Sequence, residues 1–263
     1  MEVFDLSVFY SELRTKFKYA NHLEIINYFE LMFNRVNIDK NVTGIISVGN
    51  EYASYLRFVG EIDKSYCIYD QVLKLVLEVY GNHSSEYVSV LLNLGDVDIV
   101  AGNFWQAISR FNTAENLINE HKYNYYLLAT VYNNRASAYK GLLQFKEAEA
   151  DIIKALSLID NKLDKQLISR INLVEIYILW GKFDKAEKNI LDVLKTYSEF
   201  GLETDVHYLN ALACAGELYF YLGQYQKSYE YYSLVEQKMD NKFEQTHIHK
   251  MIIKNLEKVK KLI

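Results

Sequence analysis

Three asparagines stand at the same distance from a repeated marker: Asn93, Asn134 and Asn172 each lie nine residues before it. A carboxamide offers two N–H donors and a carbonyl acceptor, and an extended peptide backbone presents both kinds of group in return. A ladder of such amides would track a chain without reading its side chains. Helix-interior asparagine is otherwise an indifferent choice, since its side chain competes for backbone hydrogen bonds. The competing reading leaves these amides in water or bonded to a neighbouring helix.

Residue types suited to bond-making are not arranged for it. The sequence holds no GxxxxGK[ST], GxGxxG after a strand, HExxH or GxSxG. His247 and His249 are two apart, about 200° around a helix, so they cannot easily share a metal. His83 sits in a connector and reads as solvated. Cys67 and Cys214 read as buried, reduced thiols with no CxxC. The expectation is no catalysis, no cofactor and no metal.

The elements that must position the amides come from an internal repeat. The marker is Gly60, Gly102, Gly181 or Gly223, and in one copy Leu143, with Gly141 two residues earlier; the spacings are 42, 41, 38 and 42. Two residues past the marker stands Ile62, Phe104, Phe145, Phe183 or Tyr225. Five past it stands a small residue: Ser65, Ala107, Ala148, Ala186 or Ser228. Nine past it comes Tyr69, Phe111, Ile152, Ile190 or Tyr232, and twelve past it Val72, Ala114, Ala155, Val193 or Val235. Seven before it stands Ala53, Gly95, Ala136, Val174 or Gly216. Glycine ends a helix in the left-handed conformation. Small residues let two antiparallel helices approach, and large ones at 3- and 4-residue spacing form a stripe that needs a neighbour. Arg135 is out of type, for Tyr52, Leu94 and Leu173 hold its place in other copies. It either snorkels to water, pairs with an acid or meets a ligand.

The segments 93–117, 133–156 and 172–194, such as NLGDVDIVAGNFWQAISRFNTAENL, resemble the tetratricopeptide repeat. The resemblance covers about residues 45–240 in five copies. Ala20, Ile25, Phe29 and Met32 keep the offsets of a degenerate copy within 1–40. Residues 243–262 read as an amphipathic capping helix, with Ile248, Met251, Ile252, Asn255, Leu256 and Val259 on one face. Lys250, Lys254, Lys258, Lys260 and Lys261 back it, suited to a helix C-terminus or to an acidic partner. The fold expected is all-α: one superhelical solenoid of about six helix pairs plus the cap. Two features depart from the family: the closing proline is missing, and the period exceeds the usual ~34 residues. Long-helix versions are similar to the repeats of kinesin light chains and bacterial peptide-pheromone receptors, and VYGNHSSEY (79–87) loosely resembles a kinesin-light-chain connector.

The resemblance implies that the first helix of each pair lines a concave wall, and that asparagines there hold a bound peptide. Asn50, Asp96, Asn133, Lys140, Glu175 and Glu217 would join Asn93, Asn134 and Asn172 on it. Acids outnumber bases in this set, which favours a neutral or mildly basic peptide. The carboxylate clamp of chaperone-binding relatives does not assemble: Asn93 and Asn134 are present, but Lys140 and Arg135 do not supply its basic half.

Composition narrows the partners. The net charge of -5, from 29 basic and 34 acidic residues, is a poor match to nucleic acid. Half of the residues are hydrophobic and 24% charged, as in a globular chain. Proline is absent, which removes the strongest helix breaker, and the 23 tyrosines suit half-buried rings with wet hydroxyls. Glu175 interrupts the apolar stretch 171–180, so no membrane span is expected. MEVFDLSVFY lacks a basic, then apolar, leader. The protein is expected in the cytoplasm as a protein- or peptide-binding adaptor. The alternatives are a receptor for a short signalling peptide, or an assembly factor that self-associates into a homo-oligomer.

Overall fold

The structure, a computed structural model, describes residues 4–239 and 247–263; of residues 206 and 247–249 it describes the backbone alone. Among the described residues there are thirteen helices and no strand. They are α1 (Leu6–Tyr19), α2 (His22–Ile38), α3 (Val42–Val59), α4 (Ile62–Val79), α5 (Ser85–Val100), α6 (Phe104–His121) and α7 (Tyr125–Gly141). After them come α8 (Phe145–Ser157), α9 (Leu163–Leu179), α10 (Phe183–Glu199), α11 (Val206–Tyr221), α12 (Tyr225–Lys238) and α13 (His247–Lys260). Contacts group them into two compact units, residues 1–123 and 124–263. The first holds the hairpins α1/α2, α3/α4 and α5/α6. The second holds α7/α8, α9/α10 and α11/α12, with α13 packed on α12.

The repeat positions map onto this geometry. Gly60, Gly102, Gly181 and Gly223 turn the chain between paired helices at φ of 90°, 79°, 75° and 71°. In the odd copy Leu143 itself takes the left-handed place, at φ 59°, and Gly141 stays inside α7. A Cβ in that conformation crowds the next carbonyl, so this turn is strained where the others are not.

The small residue five past each turn is fully buried, as is its partner seven before. Their contact is close enough for the Ser65 hydroxyl to donate to the Ala53 carbonyl at 2.8 Å, and for Ser228 to donate to Gly216 at 2.7 Å. Where the earlier position is glycine, an aromatic ring fills the space. A Cβ on Gly95 would lie 2.6 Å from the Phe111 ring, and one on Gly216 3.1 Å from Tyr232. The residues nine and twelve past each turn are 0–3% exposed, and within the first unit Tyr69 and Val72 of α4 share one core with Val90, Leu94 and Val97 of the following α5.

The degenerate N-terminal copy is a hairpin as well: Ile25 and Phe29 of α2 are buried, with Phe9 and Leu13 of α1 against them. Asn21 and Glu24 start α2 with a reciprocal capping box. Of the expected 243–262 helix, residues 243–246 lie outside the described residues, as do the side chains of His247, Ile248 and His249. Ile252, Leu256 and Val259 are buried against the second unit's core, and the five lysines are exposed. Met251, expected on the buried face, is 44% exposed at its edge. Cys214 is buried as expected; Cys67 is exposed, because it falls on the outer side of α4 between the inward Ser65 and Tyr69.

Candidate functional site

First helices pack side by side within each unit: α3 with α5, α7 with α9, and α9 with α11. Each unit therefore has a wall built from first helices. The expected site residues occur on both walls.

On the first wall, Asn50 of α3 and Asn93 of α5 face one another, and the Asn93 Nδ2 donates to the Asn50 Oδ1 at 3.2 Å. Asp96 lies 3.8 Å from the Arg57 guanidinium. Glu51, which takes the asparagine place in its copy, has its carboxyl pushed up by burial.

On the second wall the same bond recurs: the Asn172 Nδ2 on α9 reaches the Asn133 Oδ1 on α7 at 3.4 Å. In both units an asparagine nine before one turn thus donates to an asparagine ten before the previous turn. Asn133 spends its own amide protons inward, on the Ala129 carbonyl at 3.2 Å and the Ser169 hydroxyl at 2.8 Å. Asn172 spends one N–H, which leaves its carbonyl oxygen and second N–H for a ligand. These amides do bond to neighbouring helices, and they keep part of their capacity.

Farther along, Lys140 of α7 is ion-paired with Glu175 of α9. Burial opposes the lysine's charge, but Glu175 outweighs it and holds Lys140 above its ordinary range. The Cys214 thiol of α11 lies 3.7 Å from Glu175, and burial pushes its titration well up, so it stays protonated. Glu217, one turn on, is raised first by burial and then by Glu175. It borders a small cleft of about 130 Å³ with Tyr221, Asn255 and Lys258.

Between α7 and α9 the wall opens into a cleft of about 530 Å³. Asn133, Asn134 and Asn172 line it together with Tyr126, Lys162, Lys165 and Ile168. The last four were missed from the sequence. The signal was present, since Ile168 and Lys165 lie four and seven residues before Asn172 and so share its helical face. Asp164 lines the cleft too, 3.8 Å from Lys165, so this end carries two lysines against one acid, while the far end carries Glu175 and Glu217 against Lys140.

Arg135 does not face the cleft. It is 6% exposed and makes a two-pronged pair with Asp151 of α8, at 2.7 and 3.0 Å. The pairing explains a charged residue at a packing position: the fork matches a carboxylate's two oxygens.

Helix hairpins turned by a left-handed residue, with small residues between paired helices and large ones between pairs, define an all-α repeat solenoid of the tetratricopeptide type. The chain carries a tetratricopeptide repeat: residues 129–162, which span most of α7, all of α8 and the turn to α9, match the model of that family. No curated protein matches the sequence. Among solved structures, BtubC (BKLC) of P. vanneervenii is 18% identical over 81% of this chain and 89% of its own, with a TM-score of 0.61. NprR in complex with its cognate peptide NprX is 17% identical, with 99% and 78% covered and a TM-score of 0.61. The nearly identical kinesin-light-chain repeats of Podosopora anserina are 15% identical, with 76% and 97% covered and a TM-score of 0.57. At these identities the likeness is one of fold. No helix among the described residues is long and apolar enough to cross a membrane.

Proposed function

We propose that the chain is a non-catalytic scaffold that binds a protein or peptide along its first-helix walls. The cleft between α7 and α9 is its principal seat. The observation that carries this reading is the cleft itself: about 530 Å³, within the range of ligand sites, with amides, a tyrosine ring and an isoleucine converging on it. Asn172 there has a free acceptor and donor, which an extended backbone would satisfy. Lys162 and Lys165, against the single Asp164, favour an acidic group at that end; Glu175 and Glu217, against the single Lys140, favour a basic one at the other.

NprR, which shares the fold, was solved with a peptide bound. A receptor for a short signalling peptide is therefore the narrower form of the same proposal. The two cysteines are free thiols, in keeping with action in the cytoplasm.

A random peptide library panned on the full chain tests the proposal. Selected peptides are expected to lose about tenfold or more in affinity, roughly 1.4 kcal/mol, on the Asn134→Ala/Asn172→Ala variant, with the helical circular dichroism unchanged. Peptides indifferent to both substitutions, or no selection above background, would remove the cleft from the function.

A further inference from the structure

Three side chains from two distant stretches of the sequence meet at one corner of the first unit. His83 lies in the connector between α4 and α5; Glu120 and His121 end α6. One nitrogen or oxygen from each falls within 4.8 Å of the others. His121 Nε2 is 3.4 Å from His83 Nδ1, with the rings edge to face.

That separation has a chemical meaning. Two imidazole nitrogens on one tetrahedral zinc ion, each bonded at about 2.0–2.1 Å, stand roughly 3.3–3.4 Å apart. The geometry is also held in place. The Tyr123 hydroxyl donates to the His83 carbonyl, and its ring stacks on His121 at 5.5 Å. Ser84 ties the connector to Gly81 at 2.9 Å and caps α5 through the Tyr87 N–H. His121 is the last residue of α6, where the negative end of the helix dipole favours a cation.

We infer that His83, Glu120 and His121 bind one divalent transition-metal ion of the zinc class. Two imidazoles and a carboxylate suit that ion, and water completes the tetrahedron. The ion fastens the α4–α5 connector to the end of α6. The site is separate from the asparagine-bearing walls, so it stands or falls independently of the peptide reading.

The chain, stripped with a chelator, is titrated with zinc chloride by calorimetry and with cobalt(II) by visible absorption. One equivalent should bind, with the absorption bands of tetrahedral cobalt. His83→Ala and His121→Ala should each weaken binding about tenfold or more, and Glu120→Gln should weaken it too. Cys67→Ser should leave binding unchanged, which rules out the exposed thiol as the ligand. All four side chains are exposed, so unaltered circular dichroism is expected. Absence of saturable uptake, or uptake unaffected by His83→Ala, would overturn the inference and leave a plain imidazole–imidazole hydrogen bond.

Discussion

Tyr177 of α9 donates its hydroxyl proton to Glu149 of α8 at 2.6 Å, so the second helix of one hairpin is joined to the first helix of the next. The contact recurs. Tyr219 of α11 reaches Glu187 of α10 at 3.0 Å. In the first unit the same two positions carry exchanged types: Tyr66 of α4 donates to Asp98 of α5 at 2.6 Å. Burial, reinforced by the carboxylate, pushes the Tyr66 and Tyr219 hydroxyls up to about 12. They remain donors across the usable pH range.

These clasps differ in how much else supports them. Glu149 also accepts from Lys185 at 3.0 Å, whereas fully buried Asp98 holds both Tyr66 and, at 2.7 Å, Arg110. Tyr177→Phe should therefore cost about 1 kcal/mol. Asp98→Ala strands a guanidinium and a hydroxyl, and should cost about 3–4 kcal/mol. Urea midpoints rank the two; a milder effect for Asp98→Ala would contradict the assignment.

Arg135 and Asp151 form a two-pronged buried pair, with the exposed Lys154 ammonium 3.6 Å from the same carboxylate, so single and double substitutions should not add. Arg135→Met leaves a buried carboxylate with only the exposed Lys154 beside it and should cost about 3 kcal/mol, the low end for a broken buried pair. Arg135→Met/Asp151→Leu replaces both charges with apolar bulk and should recover most of that loss. A double-mutant cycle in urea measures the coupling.

Leu143 is exposed and left-handed at φ 59°, where every matching copy has glycine. Leu143→Gly removes about 1–2 kcal/mol of backbone strain against a smaller gain in unfolded-chain entropy. The thermal midpoint should rise, by the equivalent of about 0.5–1 kcal/mol on those two principles. Leu143→Ala, which keeps a Cβ, should not reproduce the gain.

Glu217 gives a pH signature. Its neighbours are Lys140 from α7, Glu175 from α9, Cys214 on its own helix, Tyr232 of α12 and Lys258 from α13. Burial and Glu175 raise its folded pKa above the unfolded value, so the folded chain holds the proton longer. Its contribution to stability falls as pH climbs from the ordinary carboxylate range through the raised value, then stays level. Glu217→Gln should flatten that part of the stability profile and raise the melting temperature at pH 7. An unchanged profile between pH 4 and 7 would place the carboxyl in water.

The repeat frame was legible because it rests on side-chain volume. Positions such as Ala53, Ser65 and Tyr69 keep their sizes from copy to copy, and size is what close packing selects. Arg135 was legible as an anomaly; its partner was not, since Asp151 looks like any outward acid of an amphipathic helix. The tyrosine–carboxylate clasps were written at constant offsets, six past one turn and four before the next, but the exchange of types between Tyr66/Asp98 and Glu149/Tyr177 hid them. The wall amides were found by register alone. Their mutual bonds depend on the slide between neighbouring first helices, which no single helix encodes. His83 and His121 could not be joined from sequence, being 38 residues apart with the whole of α5 and the length of α6 between them.

The exchanged clasp makes the modules directional. A pair ending in Glu149 or Glu187 fits a successor that brings Tyr177 or Tyr219, while one ending in Tyr66 fits a successor that brings Asp98. Transplant the Asp98 hairpin behind the Glu187 hairpin and two carboxylates would collide at a shielded joint; a Tyr219 hairpin set behind Tyr66 would bring two phenols together with no carboxylate to receive either proton. Shuffled chains would keep every helix and still stack badly, so the serial order of these hairpins is inscribed in their seams.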